Sequence, residues 1–168
     1  MIRHLGQEIL LVHSSYGKAV DRGIAATAAL EAEGPAVHRL VRELGSWRFE
    51  RAWKDQLHGI ELQDVLQGKL DVDGVVIDLL PEDVDPSALP VLDALGWRGG
   101  LVFGSSACWL AMHAQSRLTG TRPRRYSLGT TGSAIPWRRF PTDASPEDLA
   151  TQVADGLDLR IDGMISRR

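Results

Sequence analysis

A carboxylate, a pair of hydroxyls and a histidine fall at three points where an apolar run gives way to polar residues. Asp78 closes Val75-Val76-Ile77, Ser105 and Ser106 follow Leu101-Val102-Phe103-Gly104, and His13-Ser14-Ser15 follows Ile9-Leu10-Leu11-Val12. If each run is a strand of one parallel sheet, the three ends meet at one edge, where ligands of such sheets sit. A carboxylate in that place can accept a phosphoryl group, and a hydroxyl on the next strand can sense the new charge. Asp78 is therefore the phospho-acceptor-like candidate and Ser106 the switch-like one. His13, Ser14 and Ser105 are expected to line the cleft. The competing reading of Asp78 is a carboxylate that caps a helix or solvates a loop.

Other groupings suggest other chemistry. His13-Ser14-Ser15-Tyr16-Gly17-Lys18 places hydroxyls and backbone N–H groups before a helix, a setting that suits a phosphate. Tyr16, Trp97, Trp109 and Trp137 offer rings on which a flavin would stack. Ser106 or Cys108 at a strand-to-helix turn, with His113 further along, would serve a hydrolase only if a base reached the nucleophile. Five histidines without close pairing or a cysteine partner give no metal site. Arginines 117, 122, 124, 125, 138 and 139 form a local excess, and Arg138 and Arg139 are its anion-binding candidates. Solvated side chains explain the same excess. Trp47, Phe49 and Trp53 punctuate a charged stretch and suit an interface or local core packing equally.

Several of these segments together resemble a response-regulator receiver domain. Glu8–Val12 is similar to that family's opening strand and Gly59–Leu66 to its second helix. Asp73–Pro81 resembles the segment that carries the phospho-accepting aspartate, Phe103–Ala107 the switch segment, and Ser145–Leu149 the start of the final helix. The resemblance implies a signalling module that associates with another protein or with itself as a homodimer. It departs from the family where two Mg²⁺-binding acids would follow the first strand: His13 and Ser14 stand there. One carboxylate is a poor Mg²⁺ site, so the implied phosphorylation site is degenerate and no metal is expected. The loop after the first strand also looks loosely like the phosphate loop of flavodoxins, which implies FMN or a nucleotide as the alternative ligand.

The elements that must position these residues follow from periodicity. Continuous apolar runs bounded by turns read as buried parallel strands, and they alternate with helical patterns over 18–33, 87–95 and 107–118. Ser145-Pro146-Glu147-Asp148 reads as an N-cap, a first-turn proline and two first-turn acids. The pattern predicts an α/β fold, a three-layer αβα sandwich around a mostly parallel sheet of about five strands. The expected domain spans 1–156, with insertions near 42–58 and 120–140 and a tail over 157–168. Within 120–140 a short strand is expected around Arg125–Leu128, the rest being loop.

At 168 residues, 43% hydrophobic and 24% charged, the chain can bury a full core. Its net charge of −3 gives no overall drive toward nucleic acid or an anionic membrane. No apolar run approaches the length of a bilayer span. With one cysteine and no secretory leader pattern, a cytoplasmic setting is the expectation.

Overall fold

The computed structural model describes residues 6–51, 72–99, 101–120, 126–127 and 135–166. Its elements run β1 (Glu8–Ser14), α1 (Ala19–Ala32), β2 (Ala36–Glu43), β3 (Ser46–Arg51) and β4 (Gly74–Asp78). Then come α2 (Leu89–Gly99), β5 (Val102–Ser105), α3 (Ser106–Thr119), β6 (Tyr126–Ser127), β7 (Ile135–Phe140) and α4 (Pro146–Ser166). The described strands form one seven-stranded sheet in the order β3-β2-β1-β4-β5-β7-β6. All pairings are parallel except β2 with β3. The five central strands reverse direction of travel between β1 and β4, which gives the doubly wound order of the flavodoxin-like class.

Side-chain alternation divides the core in two. Ile9, Leu11, Val76, Phe103 and Phe140 face α1 and α4, where Ala26, Leu30, Leu149, Val153 and Leu157 meet them. Leu10, Val12, Val75, Ile77 and Val102 face α2 and α3, meeting Leu89, Leu92, Leu95, Cys108 and Met112. β1 is buried on both faces, which is why its sequence is an unbroken apolar run. The result is the three-layer αβα sandwich that the alternation predicts.

The described parts of the expected insertions lie largely in the sheet. Residues 42–51 hold the end of β2 and all of β3, joined by a two-residue turn at Leu44-Gly45. Both turn residues have positive φ, 48° and 80°, the conformation of a tight hairpin. Trp47 and Phe49 lie on β3 and pack against the α2/α3-side core. Trp53 and the helix expected over Gly59–Leu66 lie outside the described residues.

The stretch expected to be mostly loop supplies the fifth parallel strand, β7, between β5 and β6. Its sequence, Ile-Pro-Trp-Arg-Arg-Phe, hides this. A proline argues against a central strand, yet Pro136 stands at the second position and is paired only on the β6 side. The sheet is therefore wider than the five strands expected.

The start of α4 is as predicted, with Ser145 Oγ accepting from the Asp148 N–H at 3.1 Å. The helix then passes the expected stop at Gly156 and continues to Ser166, so most of the supposed tail is helical. Gly156 does not end the helix; it lets it approach the sheet, since a Cβ there would lie 2.5 Å from the Phe103 ring.

Candidate functional site

The topological switch point lies between the carboxyl ends of β1 and β4. There the β1–α1 loop faces the segment after Asp78, and the backbone N–H of Leu80 donates to Ser14 Oγ at 2.9 Å. Ser14 is fully buried. It therefore staples the two loops together instead of presenting a hydroxyl to a ligand. Ser15 is committed too: its Oγ and its N–H both donate to the Arg42 carbonyl at 3.2 Å.

Asp78 stands on the α1 side of this staple. The Nε of Arg22, from the second turn of α1, donates to Asp78 Oδ2 at 2.6 Å, and their side chains are 27% and 10% exposed. The same guanidinium donates through Nη1 to the Ala144 carbonyl at 2.6 Å. One arginine thus ties the end of β4 to the segment that leads into α4. Its Nη2 is buried without a partner. Asp78 and Arg22 line a cavity of about 220 Å³ together with Lys18, Leu80, Ser105 and Thr142.

His13 lies on the same face, opposite Asp78 in the β1–β4 register. Its Nδ1 lies 2.8 Å from the Ser14 carbonyl, which can only accept, so the proton of the neutral ring sits on Nδ1. Nε2 is then a buried acceptor with no partner. Burial holds the His13 imidazole below its ordinary value. Arg39 pushes the same way, against the Ser14 carbonyl and Asp78. Gly23 makes room for the ring, because a Cβ there would lie 2.6 Å from it.

Ser105 and Ser106 serve the start of α3. Ser105 Oγ accepts from the Cys108 N–H at 3.2 Å as the N-cap. Ser106 Oγ donates to the Phe140 carbonyl at 3.3 Å. Thr142 Oγ1 accepts from the Ala107 N–H at 3.0 Å, so a residue outside α3 shares the capping. Cys108 is saturated: its thiol donates to the Leu79 carbonyl at 2.8 Å and accepts from the Leu79 N–H at 3.1 Å. Burial pushes this thiol up to about 12, which leaves no thiolate at neutral pH. His113 stacks on Trp109 and is no base for it. The nucleophile reading of Cys108 is therefore overturned, and Ser106 has no base among its hydrogen-bond partners.

On the other side of the staple lies a larger cavity of about 470 Å³, lined by Ser15, Tyr16, Arg42, Leu44, Leu80 and acids that include Glu82 and Asp83. Arg42 is 1% exposed, and its Nη2 reaches both Asp85 oxygens at 3.0 and 3.2 Å and Ser87 Oγ at 2.6 Å. Its Nη1 reaches the Gly45 carbonyl at 2.9 Å, and its guanidinium lies 4.7 Å from the Trp47 ring centroid. Partial burial raises the Asp85 carboxyl, but the Ser87 hydrogen bond and Arg42 outweigh it and hold it below the usual range. Two large apolar side chains stand open at this cavity, Tyr16 at 78% and Leu44 at 94% exposed. Leu44 also occupies left-handed backbone, which is costly for a leucine.

Arg138 and Arg139 do not join the cleft as a pair. They alternate along β7, Arg138 beside Gly156 and Arg139 over the Trp109 ring. Among the described residues no group of three His, Cys, Asp or Glu side chains could hold a metal ion. No helix among them is long and apolar enough to cross a membrane.

No family model matches the chain, and no curated protein matches it. Among solved structures, the flavodoxin of Streptococcus pneumonia TIGR4 is similar to 91% of this chain and 99% of its own, at 17% identity and a TM-score of 0.43. The sheet order described above, and not this likeness, defines the fold.

Sequence reasoning brought His13, Asp78 and Ser105 to the correct edge. It missed Arg22, Thr142 and Arg42. Arg22 is the one basic residue inside α1, and a basic residue one turn into the helix after β1 is the signal that was available.

Proposed function

We propose that this chain is a non-catalytic binding module, a degenerate receiver-like domain that works by association rather than by phosphotransfer. The observation that carries this reading is the Arg22–Asp78 ion pair. The acid that a receiver would phosphorylate is held by an arginine that is itself anchored to the Ala144 carbonyl. With Ser14 stapling the loops and His13 where a second acid would stand, no group of three acids or histidines among the described residues could hold Mg²⁺ beside Asp78.

The association surface is the mouth of the larger cavity. Tyr16 and Leu44 are its apolar anchors, and the partner is another protein or a second copy that brings an apolar side chain into the space between them. Leu44 keeps a strained conformation while it stands in solvent. The hairpin turn imposes that conformation, and a leucine in place of the usual turn residues leaves an apolar side chain at the cavity mouth. Leu44→Asn should therefore raise stability by about 0.5–1 kcal/mol while weakening partner capture.

Incubation with acetyl phosphate and Mg²⁺, followed by intact mass, tests the central point. The mass should not change. A stable phosphoryl adduct that disappears in Asp78→Asn would overturn the reading.

A second reading has a specific observation behind it. A cavity of about 470 Å³ beside an exposed tyrosine is of a size that takes a planar heterocycle such as a flavin. The hydroxyls of Ser14 and Ser15 are already engaged, so the loop does not fit the phosphate of FMN as a flavodoxin loop would. Protein purified without visible flavin absorbance, and with no thermal shift on adding FMN, removes this alternative.

A further inference from the structure

The net charge of −3 conceals a segregation. Between Asp93 and Asp143 the chain carries seven arginines and no Asp, Glu or Lys. Arginines clustered on one face are the electrostatic footprint of a polyanion contact, and of the seven, Arg117 and Arg139 lie at the face of α3 that carries Trp109. The described part of this segment includes β5, α3 and β7, toward one side of the sheet.

Two cations flank a pair of half-buried flat rings along one line there. The Arg139 guanidinium lies 4.6 Å from the Trp109 ring centroid. Trp109 stacks on His113, with centroids 5.6 Å apart and planes 9° from parallel. Trp109, His113 and Arg117 recur at a spacing of four along α3, so they share one face over roughly 12 Å of helix. Arg117 and Arg139, at the two ends, are exposed. Leu110, beside Trp109, is also open to solvent.

We infer that this line is a contact surface for single-stranded nucleic acid. The guanidinium fork matches a phosphate in charge and geometry. Unpaired bases present flat faces that extend a stack of aromatic side chains. A duplex keeps those faces inside. An acidic protein segment would satisfy the arginines and leave the rings without a counterpart. This surface is separate from the switch-point cleft, so the inference stands independently of the function proposed above.

The test is fluorescence anisotropy of a labelled, mixed-sequence single-stranded oligonucleotide titrated with the full chain at low salt. Saturable binding is expected, with log affinity falling against log salt by roughly −0.7 for each contacted phosphate. Arg117→Glu with Arg139→Glu should weaken binding by about tenfold or more. Arg48→Glu, on the exposed edge strand β3, should leave it unchanged. His113→Ala should weaken binding without altering the salt slope, since it removes a ring and no phosphate contact. If the double variant loses its native circular dichroism, Arg117→Gln alone should still lower the slope by about 0.7. Absence of saturable binding would overturn the inference. So would an equal loss in Arg48→Glu, or displacement by poly-glutamate as effective as by unlabelled oligonucleotide.

Discussion

Two arginines flank the switch point, one on each face of the sheet, and they do different work. Arg42 is sealed into the α2/α3 side, where four oxygens and the Trp47 ring surround its guanidinium. It fastens the β2–β3 hairpin to the segment entering α2. Arg22 lies on the α1 side at the wall of a cavity and is part exposed, while each of the two guanidiniums keeps one buried nitrogen unpartnered. It fastens Asp78 to α1 and to the approach to α4. The contrast separates a device that only holds the fold from one that also decides what the strand-end acid can do.

Replacing Arg42 tests the first half most severely. Arg42→Ala would remove the bonds that tie the Gly45 carbonyl, Asp85 and Ser87 together and open a void beside Trp47. A loss of about 3 kcal/mol is expected from urea unfolding. A loss no greater than that of an ordinary surface substitution would show that the Arg42 cluster is not structural.

Next in size is the packing that seats His13 beside the second arginine. Gly23→Ala places a methyl 2.6 Å from a buried imidazole that is itself bonded to the backbone. Overpacking of this kind should cost about 1–3 kcal/mol, read as a lowered Tm. An unchanged Tm would mean that α1 does not press on the ring.

The smallest effect is a pH dependence. The folded state holds the His13 imidazole below its ordinary value of 6.5, so the unfolded chain binds a proton more readily. The associated stability is fully present above 6.5 and is lost as pH falls through the lowered folded value. Unfolding free energy should decline on acidification below 6.5, and His13→Gln should flatten that part of the profile. A profile that the substitution leaves untouched would place the titration elsewhere.

Much of this arrangement is legible in the amino-acid sequence. The apolar runs at Ile9–Val12, Val75–Ile77 and Leu101–Phe103 are buried on both faces, and burial leaves its mark directly on composition. Their ends set Asp78 and His13 side by side because register follows from parallel pairing. β7 was obscured, since two adjacent arginines interrupt its apolar residues and a proline stands at its second position. β3 was obscured likewise, because its edge position lets it carry Arg48 and Glu50 in solvent. The partners of Asp78 were not legible. Arg22 lies 56 residues from Asp78 in the chain, so its place one turn into the helix after β1 puts a basic residue near the strand ends without naming Asp78 as its partner. Ser14 read as a ligand hydroxyl, yet it is spent on a backbone donor 66 residues away.

The central claim is that Arg22 holds Asp78, and a double-mutant cycle measures that directly. Arg22→Met, Asp78→Asn and the double variant, each unfolded in urea, give the coupling between the two side chains. A pair this close and this sheltered should show coupling of about 1 kcal/mol or more. Coupling indistinguishable from zero would leave Asp78 unclaimed and contradict the account.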